Sequence, residues 1–193
     1  MNRFAPALIL AVAPLLISAV GAAPADEPTS YPAETYTAVI QRQTGTTGAG
    51  SEEIQVSIAI LRPMTVEEAL PLRDALKSGG QQAMVRAIQG RAQGMLRLGG
   101  LEYPLDLVVE QQQGDTLHIA VVTTRRIDVN ETNTGAASLD YPFGLAVFDV
   151  DSLGRGEGTV YPKATLEVLS DGGVGVSTFE DRTYSMIRMK REK

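Results

Sequence analysis

The chain has 193 residues, a formal net charge of −6, one histidine, and neither cysteine nor tryptophan. That length suits one domain with short tails, and 44% hydrophobic against 21% charged residues is a globular balance rather than a disordered one. Without cysteine there are no disulfides, thiolate zinc sites, iron–sulfur clusters or cysteine nucleophiles, and one histidine excludes any multi-histidine metal site.

The N-terminus reads as an export signal. Arg3 precedes an apolar run over 7–20 that Pro14 and Ser18 interrupt only mildly. At about 14 residues the run matches a signal-peptide core and falls short of the roughly 20 needed to span a bilayer. Small residues Gly21, Ala22 and Ala23 follow, and polarity then rises at Asp26-Glu27-Pro28. A signal peptide over 1–22 is therefore expected, with a mature chain beginning at Ala23; a second small-x-small site, Ala23-Pro24-Ala25, would start it at Asp26. No cysteine is present to carry a lipid, and no Arg-Arg pair marks a twin-arginine route. Cleavage after Ala22 leaves 16 basic against 23 acidic residues, a balance that argues against nucleic acid as a partner. No later stretch approaches 18 apolar residues, so no transmembrane segment is expected in the mature chain. The expected destination is the bacterial periplasm or the exterior.

A polar leader over 23–33, with three prolines and two acids, precedes a single domain over 34–190 and a basic tail over 191–193. Within the domain, alternation dominates. Ile54, Val56, Ile58 and Ile60 share one face of a strand over 53–62, opposite Glu53, Gln55 and Ser57. A second strand over 34–43 is joined to it by the glycine-rich loop Gly45-Thr46-Thr47-Gly48-Ala49-Gly50. Thr65 and Glu68 form a Thr-x-x-Glu capping box, which predicts a helix from about Val66. Pro71 is expected to kink or split it, and Ser78-Gly79-Gly80 to separate it from a second short helix over 81–91. Further strands are expected over 103–112 and 116–124 around the turn Gly114-Asp115, then over 139–149, 158–169, 174–180 and 184–190. The fold class is therefore α+β: an antiparallel sheet or partly closed barrel of eight or nine strands, with two short helices inserted after strand two.

Each candidate for chemistry has a competing structural explanation. Asp149-Val150-Asp151-Ser152-Leu153-Gly154 begins like a calcium loop, but Leu153 stands where an oxygen ligand is needed and Val160 where the closing Glu belongs. A turn using Asp and Gly for their backbone geometry fits better. The 45–50 loop lacks the lysine and the following helix of a phosphate loop. His118 is the only imidazole available as a base, and no Gly-x-Ser-x-Gly elbow accompanies it. Tyr141 and Phe143, read as neighbours on one strand face, would suit a pocket wall as well as a sheet core. Arg125 and Arg126 end the strand over 116–124. Tyr141, Phe143, His118 and Arg125 are therefore candidate ligand-binding residues, and no catalytic residue, metal ligand or cofactor is assigned.

The stretches Leu76-Lys77-Ser78-Gly79-Gly80-Gln81-Gln82-Ala83-Met84-Val85 and Leu139-Asp140-Tyr141-Pro142-Phe143-Gly144 carry a further signal. With Gly156-Glu157-Gly158 and Thr123-Thr124-Arg125-Arg126-Ile127, they resemble an uncharacterised family of signal-peptide-bearing bacterial secreted or periplasmic proteins. The resemblance covers residues 34–190 and implies a β–β–α–α–β order within one domain. It implies no reaction, ligand or site residue.

The functional expectation is a non-catalytic binding or structural module of the bacterial cell envelope, meeting an unknown small ligand or envelope protein. The alternatives are an envelope hydrolase using paired carboxylates and a lipocalin-like carrier of a small apolar ligand. Carboxylate pairing in a cleft would favour the hydrolase. The missing tryptophan removes the Gly-x-Trp signature of lipocalins.

Overall fold

The computed structural model describes residues 34–44, 50–129, 140–170, 173–178 and 183–192. The expected signal peptide and leader, the glycine-rich 45–49 loop and the 130–139 segment lie outside them. The strands are β1 (Glu34–Thr44), β2 (Gly50–Ile60), β3 (Gly94–Leu98), β4 (Leu101–Leu105), β5 (Leu107–Gln113), β6 (Thr116–Thr123), β7 (Phe143–Val150), β8 (Arg155–Val168), β9 (Val174–Thr178) and β10 (Tyr184–Glu192). One helix, α1 (Val66–Ile88), lies between β2 and β3.

All recorded strand pairings are antiparallel, in the order β4-β3-β2-β1-β10-β8-β7-β6-β5, with β9 added to β8. The order is a meander that returns on itself, because the first and last described strands, β1 and β10, pair side by side. The two ends of the path, β4 and β5, are separated along the chain by a single residue, Asp106. One nearly continuous strand thus pairs with β3 through its first half and with β6 through its second, and the sheet curls into a nearly closed barrel. The expected α+β, β-rich fold is the observed one.

Two differences have clear physical causes. The helical stretch is not split at Pro71: α1 runs through it, and Glu67, whose carbonyl loses its usual donor, lies exposed to water. The break comes at Gly80, within the Ser78-Gly79-Gly80 stretch expected to separate two helical pieces; its φ of 62° and ψ of −158° only glycine adopts without strain. The capping box at Thr65 forms as expected: Glu68 N donates to Thr65 Oγ1 at 3.3 Å, and Thr65 N donates to Glu68 Oε2 at 2.9 Å. The second difference is in strand count. The 94–98 segment, assigned to no element by sequence pattern, is β3, and the expected strand over 103–112 is two strands bent at Asp106.

Two apolar clusters result from alternation on this curved sheet. Inside the barrel lie Tyr36, Ile40, Val56, Ile58, Ile60, Leu96, Leu105, Ile119, Phe148 and Met186, with Tyr36 and Phe148 meeting edge to face at 5.2 Å. On the outside, Leu72, Leu76, Met84 and Ile88 of α1 cover Leu107, Val122, Phe143, Leu145, Ala164 and Leu166. The helix therefore covers part of the outer face of β5 to β8, and the strand segments beneath it are buried on both faces.

Candidate functional site

The four residues singled out from sequence do not converge. Phe143 is fully buried beneath α1, as the first residue of β7. Tyr141 lies in the bend before β7 and not on a shared strand face with Phe143, because the strand starts at Phe143, four residues later than its pattern suggested. Pro142 separates the two. Arg125 is exposed just beyond β6, and its carbonyl lies against Gly144. His118 sits toward the other end of the β6–β7 ladder, paired with Asp149, whereas Thr123 pairs with Gly144. At the usual strand rise that separation is roughly 17 Å.

His118 does have an acidic partner. Its Nδ1 lies 2.6 Å from Asp149 Oδ1 on the outer face of the barrel, with both side chains partly open to solvent. Asp149 and Asp151, the first two acids of the calcium-like stretch, serve different partners. Asp151 Oδ1 accepts from Leu153 N at 2.9 Å and Arg155 N at 2.8 Å, the pattern of a turn-forming aspartate. Gly154 completes that turn at φ 74°. Among the described residues, no group of three His, Asp or Glu side chains is arranged to hold a metal ion.

The polar groups that organise the interior were not singled out from sequence. Asp106 is buried at the bend between β4 and β5 and fully engaged. Its Oδ1 accepts from Gly90 N at 2.8 Å, just past α1, and its Oδ2 accepts from both the backbone N–H and the hydroxyl of Thr124 at 2.8 Å. Gln93, also buried, accepts at Oε1 from Val108 N at 2.7 Å, while its own N–H donates to Leu105 O at 2.7 Å. These two side chains satisfy the backbone N–H groups of Gly90, Val108 and Thr124 around the bend.

The barrel's two ends differ. At the end where β6 finishes, the chain folds back and Ile127 and Val129 enter the inner core. There Asp128 N donates to the Tyr103 hydroxyl at 2.9 Å, and that hydroxyl donates to Asp128 O at 3.3 Å. Burial raises the Tyr103 phenol above its ordinary value. The opposite end is polar. The fully buried Tyr36 donates its hydroxyl to Glu34 Oε2 at 2.7 Å, and Arg191 Nη2 pairs with Glu34 Oε1. Burial, reinforced by the Glu34 hydrogen bond and charge, pushes the Tyr36 phenol far up, so it stays a donor. Glu110 joins this group from β5, where it pairs in register with the core residue Ile119. Desolvation, then the neighbouring Glu34 charge, raises its carboxyl above the usual range, while Arg191 opposes the shift. Arg191 belongs to β10 rather than to the expected basic tail.

Glu34 could have been noticed two residues before a buried Tyr36 on the same strand face. Glu110 and Arg191 carried no such signal, since their meeting depends on how the barrel closes. Compared with protein-family models, curated proteins and solved structures, the chain matches none.

Proposed function

We propose that the protein is an exported, non-catalytic binding or structural module of the bacterial cell envelope. The observation that carries this reading is the packed barrel interior. Tyr36, Phe148, Ile40, Ile58, Ile60, Leu96, Leu105 and Ile119 are all fully buried there, in the volume a carrier would keep for its cargo. Recognition on such a scaffold falls to its outer surface and loops. The packed interior favours the module over a carrier that holds an apolar ligand inside the barrel. The signal-like N-terminus and the resemblance to signal-bearing bacterial proteins support the export part of the proposal.

One feature favours the hydrolase as a second reading: Glu110 turns into the barrel and feels the charge of Glu34, which helps raise its carboxyl. Glu34, however, is already engaged by Tyr36 and Arg191. The two readings separate in one experiment. The full chain is expressed in an exporting bacterium and fractionated, and the recovered protein is analysed by mass spectrometry and assayed on a panel of glycosides. The module reading expects a product beginning at Ala23, or at Asp26, in the periplasm or medium, with no turnover. An intact Met1 on protein held in the cytoplasm would overturn export. Turnover abolished by both Glu34→Gln and Glu110→Gln would overturn the non-catalytic assignment.

A further inference from the structure

α1 crosses the outer sheet and comes back. Just before its first turn, Met64 N donates to Val108 O at 2.7 Å, which starts the helix beside β5. At Gln81 the chain has reached β8: Leu166 N donates to Gln81 Oε1 at 3.0 Å, and Gln81 Nε2 donates to Leu166 O. By Gly90 it has returned, and Gly90 N donates to Asp106 Oδ1 at 2.8 Å at the β4–β5 bend. β6 and β7 lie between β5 and β8, so the excursion covers roughly 14 Å along the sheet at the usual strand spacing. The helix is thus a V with both feet near the β4–β5 bend and its apex on β8. Gly80, in its glycine-only conformation, is the turn of the V.

The three anchors are not equal. One foot is a main-chain bond to β5. The other is held by the buried Asp106, which also accepts from the N–H and hydroxyl of Thr124. Hydrogen bonds to a carboxylate are roughly twice as strong as neutral ones. The apex is held by one neutral, half-buried carboxamide on a rotatable side chain. Around it Ser78, Gly79, Gly80 and Gln82 are all exposed, and the two glycines bring no side chain to the packing. On either side of the turn, Leu76 and Met84 are buried in the outer cluster with Phe143, Leu145, Ala164 and Leu166.

We propose that α1 is a flap, hinged at the β4–β5 bend and latched at its apex by Gln81, whose release uncovers the apolar outer face of β7 and β8. Opening breaks the two bonds to Leu166 and lifts Leu76 and Met84, while the Val108 and Asp106 anchors stay made. The barrel itself is not disturbed, because the inner core lies on the opposite face of the same strands. Opening is therefore local and exposes less surface than unfolding does. The device is independent of what the module binds, and either can fail without the other.

Because the chain has no cysteine, single introduced thiols can report the opening. Ala164→Cys places one under the apex on β8, and Leu107→Cys places one between the two feet; both positions are buried. Maleimide labelling of each is read against that variant's own unfolding equilibrium. Ala164→Cys should label about tenfold faster than its unfolding allows and respond little to low urea, whereas Leu107→Cys should track unfolding. Adding Gln81→Ala should speed Ala164→Cys labelling about tenfold further. Labelling of Ala164→Cys that only tracks its unfolding, or that Gln81→Ala leaves unchanged, would overturn the flap. Should the cysteine variants fail to fold, hydrogen exchange on the wild type decides. After correction for intrinsic rates, the Leu166 amide should be about tenfold less protected than the Gly90 amide. Equal or greater protection at Leu166 would overturn the flap as surely.

Discussion

β2 and β7 are strands of the same barrel, yet they present opposite problems to anyone reading them from sequence. β2 is buried on one face only: Val56, Ile58 and Ile60 enter the inner core, Ile54 packs against its edge, and Glu53 and Gln55 face water. β7 is buried on both faces. Ala146, Phe148 and Val150 point inward, while Phe143 and Leu145 meet α1 on the outside. Period-two alternation marks a strand only where the two faces differ in polarity. A helix laid over β5 to β8 erases that difference, so the covered half of the barrel carries less positional information than the bare half.

The comparison makes its largest prediction at an outward position of the covered half. Leu145 has the parity that would be solvent-facing on an uncovered strand, and the helix instead buries it almost completely. Leu145→Ala should cost about 2–5 kcal/mol, a penalty of the same size as that of Ile58→Ala inside the barrel. Denaturant titration of both variants checks this. A mild Leu145→Ala beside a severe Ile58→Ala would mean that α1 rests on the sheet without forming a second core.

Legibility in this chain follows the same division. The strand character of β2, the capping box of α1 and the hairpin between β5 and β6 were readable, because each depends on residues close in sequence. Phe143 was misplaced beside Tyr141 because alternation in that segment has no polar phase to fix where the strand begins. β3 was missed because its five residues, Gly94 to Leu98, are too few to establish a period. Asp106, Gln93, Glu110 and Arg191 were invisible for a different reason. Their roles arise when distant strands meet at the seam and at the polar end, and nothing local distinguishes them from surface residues.

An intermediate effect is expected where the two halves are stitched together. Beyond its pairing with β7, β8 continues beside β9, and the hydrogen bond from Leu169 N to Gly173 O sets the phase of that ladder. Leu166 then directs its backbone N–H and C=O away from β9. Gln81, the residue after the Gly80 break, takes both: Leu166 N donates to Gln81 Oε1 at 3.0 Å, and Gln81 Nε2 donates to Leu166 O. One side-chain amide thereby does what a neighbouring strand would do, covering an otherwise open edge. Gln81→Ala should cost roughly 1–3 kcal/mol, because two part-buried backbone groups lose their partners together. The Leu166 amide should lose exchange protection while β2 amides keep theirs. Unchanged protection at Leu166 would show that this contact does not hold the edge.

The smallest effect is expected at Gln55, the counterpart of Leu145 on the bare half. Both residues point out of the barrel, and they differ in what lies over them: α1 over Leu145, water over Gln55. Gln55 pairs across the ladder with Val39, and its backbone carbonyl accepts from Gly99 N at 3.3 Å, a bond that side-chain truncation leaves in place. Removing the amide therefore breaks no buried hydrogen bond and opens no cavity, and Gln55→Ala should stay within about 0.5 kcal/mol of wild type. The value of this measurement lies in its contrast. If Gln55→Ala were as costly as Leu145→Ala, something would have to cover the outer face of β2 as α1 covers β7. The bare half would then be an interface of the protein in solution, and its clean alternation would reflect a partner-facing surface rather than a solvated one.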